Sequence, residues 1–229
     1  MHLRLEKFDI ASLITQFQSE GVVRLDNILL ENDVQRILEY YSEQVEFTNA
    51  FYADGHSCEA SDAQINALEH ERKHHLHSTI HSLAAQGIGF FYGRKKINKA
   101  DSDPISKLLY QLNKPETLQF ITKLSGVGRL SYADGQATRF RAGDFLTRHI
   151  DNVKGETREV AYVVGFTRQW HPDWGGLLQF FEKDGTPTNS YAPSYNSLTL
   201  FDVNKVHSVT SVTPFAPKNR YSLTGWYRR

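Results

Sequence analysis

Two periodicities divide this chain. Through the first half, apolar residues recur every three or four positions: Ile10–Phe17 reads as an amphipathic helix ended by Gly21. Val34, Ile37, Leu38 and Tyr41 fall on one face of a second helix, for which Asn32 or Asp33 is the expected cap. Val22–Leu25 stands between them as a short strand, Asp62–Leu83 reads as a third, polar helix, and Pro104–Leu112 and Pro115–Leu124 make a fourth and fifth, stopped at Gly126. From Arg129 the period shortens to two, in runs rich in β-branched and aromatic residues separated by Asp-Gly, Ala-Gly, Gly-Gly and proline-containing turns. The expected strands are Arg129–Ala133, Ala137–Arg141, Phe145–Ile150, Glu159–Thr167, Leu177–Phe181, Ser197–Phe201, Val206–Val212 and Tyr221–Tyr227. Eight strands in about a hundred residues is the count of a jelly roll, which avoids exposed edges by packing two sheets together. The expected class is therefore α+β: a jelly-roll core over residues 128–229 on a mainly helical support over 1–127. No repeat or linker interrupts the chain, so one domain over 1–229 is expected.

Composition narrows the function classes. Apolar residues make up 40% of the chain, aromatic residues 12% and charged residues 23%, which suits a folded domain with an aromatic-rich core. Lys+Arg 26 balances Asp+Glu 26, so no global basic field draws the protein to nucleic acid or to an anionic membrane. The start, MHLRLEKFDI, lacks the apolar run of a signal peptide, and nothing approaches the roughly 18 apolar residues of a membrane span. A lone cysteine, Cys58, suits a reducing compartment, and a cytoplasmic location is expected.

The chemistry lies in the β half. Ten histidines among 26 carboxylates would produce about one His-x-Asp/Glu by chance, and two occur. His171-Pro172-Asp173 sits among Trp174 and Gly175-Gly176 and reads as a surface turn, since proline does not serve a central strand. His149-Ile150-Asp151 lies at a strand end, where residues two apart share a face and can reach one metal ion. His207, opening a later strand, would complete the two-His-one-carboxylate triad that leaves three positions of Fe(II) open for a chelating 2-oxoacid and O2. Arg220 offers a permanently charged fork for a distal carboxylate, with Ser222 and Thr224 alternating beside it. Taken alone, each residue has a plainer reading: a surface histidine, a turn aspartate, a surface arginine, and for Trp226 ordinary core. Their order along successive strands favours the joint site. A rival metal site is His70, His74, His77 and His81, one face of a helix; among Glu69, Glu71, Arg72 and Lys73 it reads as a solvated face. A helix and loop region at Phe47–Ser61, with Phe51 and Tyr52, is a candidate lid over the site.

The runs FRAGDFLTRHID, TREVAYVVGFTRQW, DWGGLLQFF, NSLTLFDVNKVHSVTSV and RYSLTGWYRR resemble the catalytic domain of Fe(II)- and 2-oxoglutarate-dependent prolyl hydroxylases, in particular those that modify a small-subunit ribosomal protein. The resemblance is close over about Leu130–Arg229 and looser before it. It implies a double-stranded β-helix, iron at His149, Asp151 and His207, and 2-oxoglutarate on Arg220, with ascorbate a candidate reductant. The implied partner is a protein with a target proline, ribosomal or translation-related; a small-molecule hydroxylase and a non-catalytic β-sandwich interaction module are the alternatives. Two departures stand out. The family's cosubstrate-binding tyrosine aligns with Gly165, leaving Tyr162, Thr147 or Thr224 as sources of that hydroxyl, and the second β domain of the eukaryotic ribosomal-protein hydroxylases is not expected here.

Overall fold

The computed structural model describes residues 1–98 and 101–229. Six helices are present among them. Helix α1 (Ile10–Glu20) starts where the Asp9 carboxylate accepts the Ala11 N–H and ends at Gly21, whose φ of 66° turns the chain out of the helix. Helix α2 (Glu31–Glu43) is preceded by Leu30 with no side-chain cap, so neither Asn32 nor Asp33 caps it; Glu31 and Asp33 instead place negative charge in its first turn. The expected third helix is broken in two. Ser61 and Gln64 form a capping box on α3 (Asp62–Asn66), and α4 (His70–Ala85) restarts after Glu69. Helices α5 (Pro104–Leu112), capped by Asp103, and α6 (Pro115–Ser125), ended by Gly126, fall where their prolines and glycine set them.

The strands are β1 (Val22–Asp26), β2 (Thr48–Ala53), β3 (His56–Ser61), β4 (Phe90–Lys96), β5 (Tyr132–Ala133), β6 (Gln136–Phe140), β7 (Phe145–His149), β8 (Arg158–Phe166), β9 (Leu178–Phe181), β10 (Pro187–Tyr191), β11 (Tyr195–Asp202), β12 (Val206–Val209) and β13 (Arg220–Arg228). Four of them, β2, β3, β4 and β10, were not expected. HSCEAS and PTNSY carry no apolar alternation, while TNAFYA and FFYGRKK lack β-branched residues after the first position, so the period-two signal is weak in each. The stretch Phe47–Ser61 is therefore chiefly a β-hairpin, not a helix and loop. Phe51 packs on Ile80 behind it, and Tyr52 borders the cleft described below.

All thirteen strands join one antiparallel sheet in the order β1-β11-β8-β13-β6-β4-β7-β12-β9-β10, with β2 and β3 continuing from β4 and β5 beside β13. The sheet curls so that its far end faces its beginning: Phe180 of β9 meets Phe201 of β11 edge to face at 5.2 Å, in a cluster with Val22, Ala161 and Leu178. The helices cover the outer face of β8, β11 and β13. Val164, Phe166, Leu198 and Leu223 pack there against Ile37, Leu108 and Leu124, and the Tyr41 hydroxyl of α2 donates to the Ser222 carbonyl at 2.7 Å. Alternate residues of β8 and β13 therefore face either the helical layer or the barrel interior, which decides which side chains reach the site.

Candidate metal centre

Strands β7 and β12 pair antiparallel in a register that sets His149 opposite His207, with ring centroids 4.2 Å apart. Strand β7 ends at His149, and the Asp151 N–H donates to the Val203 carbonyl at 2.9 Å, which turns the carboxylate back between the rings. Asp151 Oδ1 lies 3.6 Å from His149 Nε2, and Oδ2 lies 3.5 Å from His207 Nε2. Donor atoms of the three residues fall within 4.8 Å of one another, the one such cluster among the described residues. On α4, His77 instead stands against Phe91 at 5.8 Å, and the histidines of that helix do not converge. The His171 and Asp173 side chains are exposed on a short turn, as expected.

Each ligand-bearing imidazole is oriented by its own strand. His149 Nδ1 lies 2.9 Å from the Thr147 carbonyl, and His207 Nδ1 lies 2.9 Å from the Lys205 carbonyl. A ring nitrogen facing a carbonyl carries the proton, so both Nε2 lone pairs remain for a metal. Burial, reinforced by the neighbouring His149, pushes His207 down to about 4 against the pull of Asp151, so it is neutral at physiological pH. Burial pushes the Asp151 carboxyl up, but the contact with His149 and the proximity of both imidazoles outweigh it, and the carboxyl ends below its ordinary range. Two imidazoles and one carboxylate on one side of a point suit Fe(II) and leave the opposite side open.

From this cluster a cleft of about 640 Å³ runs through the barrel, walled by Leu146, Leu178, Phe201, Val209 and Trp226, to Arg220. Arg220 is 5% exposed, stands over the Phe140 ring at 5.1 Å and donates to the Gly176 carbonyl at 3.0 Å. Burial and the nearby Arg24 lower it to about 10, so it stays charged, and no carboxylate of the described residues pairs with it. A buried cation without a counter-ion is costly unless a ligand supplies the anion.

The residues expected near Arg220 divide by sheet face. Ser222 and Thr224 share its inward face; the Ser222 and Thr138 hydroxyls lie 2.7 Å apart, and Thr224 borders the cleft. Tyr162 is corrected. Although β8 borders the cleft there, period two turns this ring to the helical side, against Tyr227 at 5.4 Å, and its hydroxyl donates to the Asp134 carbonyl at 2.7 Å. Thr147 is also committed, its hydroxyl donating to the Gly89 carbonyl at 2.8 Å. Gly165 has a structural reason: a Cβ there would meet the Ser194 carbonyl oxygen at 2.5 Å, so the 192–194 segment fills the space a side chain would need. Gly165→Ala is accordingly expected to cost about 1–3 kcal/mol of stability. A urea midpoint equal to that of the parent would show that the segment yields freely.

Sequence reasoning missed Thr138 and Phe140, and took Trp226 for core.

The family model described as the 2OG-Fe(II) oxygenase superfamily matches residues 135–228. The prolyl 3-hydroxylase OGFOD1 of Mus musculus is 26% identical over 136 residues, covering 56% of this chain and 24% of that protein. The prolyl 3,4-dihydroxylase OGFOD1 of Ostreococcus tauri is 30% identical over 134 residues, covering 53% of this chain and 26% of its own length. The alignments thus span about a quarter of these relatives. Among solved structures, a Pseudomonas putida prolyl-4-hydroxylase superposes with a TM-score of 0.65 at 18% identity, covering 96% of this chain and 99% of that one. A Trichoplax adhaerens prolyl hydroxylase in complex with a hypoxia inducible factor oxygen degradation domain peptide fragment gives 0.64 at 18% identity, covering 96% and 88%. At such identities these likenesses show the fold: a double-stranded β-helix with its helical layer.

Proposed function

We propose that this chain, similar over residues 135–228 to the 2OG-Fe(II) oxygenase superfamily, is a single-domain Fe(II)- and 2-oxoglutarate-dependent dioxygenase that hydroxylates a prolyl residue of a protein. One observation carries the reading: the His149, Asp151 and His207 donors converge at one end of a cleft whose other end is a buried arginine without a counter-ion. A 2-oxo diacid has a chelating group at one end and a carboxylate at the other, and this cleft presents a partner for each. Bound there, Fe(II) with 2-oxoglutarate and O2 supplies the oxidising power that yields succinate, CO2 and a hydroxylated C–H bond.

The chain's own residues bind, aim and exclude. His149 and His207 present Nε2 because Thr147 and Lys205 hold their Nδ1 protons, and Asp151 contributes the anionic oxygen. Arg220 fixes the far carboxylate and so the direction in which the cosubstrate lies. Leu178, Phe201 and Val209 keep bulk water from the reacting end. The mouth of the cleft is rimmed by Ile88, Ile150 and Val153, each at least 44% exposed, which suits an apolar stretch of a substrate chain. The prolyl preference rests on the relatives, which are prolyl hydroxylases by name. A ribosomal or translation-related substrate and ascorbate as reductant are parts of the same proposal. No helix among the described residues is long and apolar enough to cross a membrane, and the single free Cys58 supports a cytoplasmic site of action.

The test is an anaerobic titration with Fe(II) and then 2-oxoglutarate. We expect a visible charge-transfer band that saturates at one equivalent per chain and succinate release on admitting air. Absence of both would leave a non-catalytic interaction module as the reading. Succinate release stimulated by small molecules and by no proline-containing protein would move the substrate class.

A further inference from the structure

A second arginine lies inside the barrel with no part in the site so far. Arg24 is third in β1, where period two sends Val22 and Arg24 to the inner face. Its Nε donates to Thr199 Oγ1 on β11 at 3.1 Å, its Nη1 donates to the Ala192 carbonyl at 3.2 Å, and its guanidinium stacks over Tyr191 at 4.6 Å. These contacts aim it at the closed end of the barrel. A void of about 10 Å³, room for a single water, lies there between Arg24, Gly165, Ser197, Ser222 and Arg220. Arg220, Val163 and Leu178 border both this void and the main cleft, so the void continues the cleft beyond the Arg220 end.

Two guanidinium groups, the buried Arg220 and the half-buried Arg24, thus border one small void, and no carboxylate of the described residues is ion-paired with either. Asp26, exposed at the end of β1, acts on Arg24 only from a distance, and the Arg24 charge is felt at Arg220. Burying one unpaired cation is unfavourable, and a second beside it is more so, unless the pair exists to meet an anion. Resting on the cosubstrate reading above, we propose that Arg24 is a second cation of the 2-oxoglutarate pocket, adding its charge to that of Arg220 on the distal carboxylate. The same 192–194 segment that excludes a side chain at Gly165 also provides the Ala192 carbonyl that orients Arg24. The site should therefore discriminate strongly for 2-oxo diacids over 2-oxo monoacids.

The test compares dissociation constants for 2-oxoglutarate and for pyruvate, which chelates iron by the same 2-oxoacid end but has no distal carboxylate. It uses anaerobic, Fe(II)-loaded parent, Arg24→Gln, Arg24→Lys, Arg220→Gln and the Arg24→Gln/Arg220→Gln double variant. Arg24→Gln is expected to weaken 2-oxoglutarate about tenfold and to leave pyruvate within about twofold. Arg24→Lys should restore most of the loss. The double variant should lose less than the product of the two single losses, because both cations serve one carboxylate. A parent-like 2-oxoglutarate affinity in Arg24→Gln, beside a clear loss in Arg220→Gln, overturns the proposal and leaves the cosubstrate reading intact. Parent-like affinity in both overturns the cosubstrate reading as well. Equal losses for 2-oxoglutarate and pyruvate in Arg24→Gln would mark Arg24 as a packing residue and also overturn the proposal. Should Arg24→Gln fail to fold, Arg24→Met, of similar length and better suited to an apolar neighbourhood, is judged by the same ratios.

Discussion

Asp151→Ala is expected to lower 2-oxoglutarate-dependent succinate release by more than about a hundredfold, since even the hydrogen-bond partners of metal ligands are commonly worth roughly 10–100-fold. The substitution removes the anionic ligand, and the two imidazoles left behind supply no charge to balance Fe(II). Iron affinity should fall with activity. The fold should persist, because the Asp151 backbone N–H still donates to the Val203 carbonyl and His207 is neutral without its acidic neighbour. Circular dichroism separates the two effects, and Asp173→Ala, at the exposed second His-x-Asp, is the control that should keep both iron and turnover. Full succinate release by the Asp151 variant would dismiss the triad.

Replacing Arg220 separates recognition from stability. Arg220→Ala removes a charge-assisted, desolvated contact of about 2–5 kcal/mol, so 2-oxoglutarate affinity should drop at least about tenfold with iron binding nearly unchanged. Arg220→Lys should recover only part, because an ammonium does not reproduce the planar fork. Arg220→Met adds a sign test. In the absence of cosubstrate the guanidinium is buried with the Gly176 carbonyl and the Phe140 face as its neighbours and no counter-ion, so an apolar side chain of similar length should leave thermal stability equal or raised. A variant that binds 2-oxoglutarate poorly yet melts no lower than the parent fits a residue retained for its ligand. One that melts several degrees lower and binds normally would make Arg220 structural.

How much was legible beforehand follows from where burial imposes a period. Strands β8, β11 and β13 alternate or run apolar because the helical layer and barrel interior bury them, and these and β7 each lie within a few residues of the expected range. Edge strands have one neighbour and need no such pattern, which is why the polar β3 and β10 escaped notice. The His149–Asp151 pair was readable because a spacing of two along one strand is local information, whereas His207 comes from a strand distant in sequence and was placed by residue type and by its order along the chain. The Arg220 pocket was only half readable. Ser222 and Thr224 follow from alternation on the same strand, whereas Tyr162 lies an odd number of positions from Gly165 and so on the opposite sheet face, a parity that the search for a substitute hydroxyl overlooked. Thr138 reaches the site from a strand distant in sequence, and only the register brings it there.

The carbonyls of Thr147 and Lys205 have a consequence for the supply of iron. Because strand backbone, and not the metal, fixes the tilt and tautomer of both imidazoles, the chain has already met the entropic cost of assembling the centre when it folds. Loading then resembles docking into a rigid socket, the reverse of a zinc finger, whose folding waits on its ion. Such a socket is reversible and has little power to refuse other divalent ions that favour imidazole, so Co(II), Ni(II) and Zn(II) compete for it in the usual order of affinity. The working fraction of the protein would then track the free-iron level of its surroundings, rising and falling without any chain being unfolded or remade.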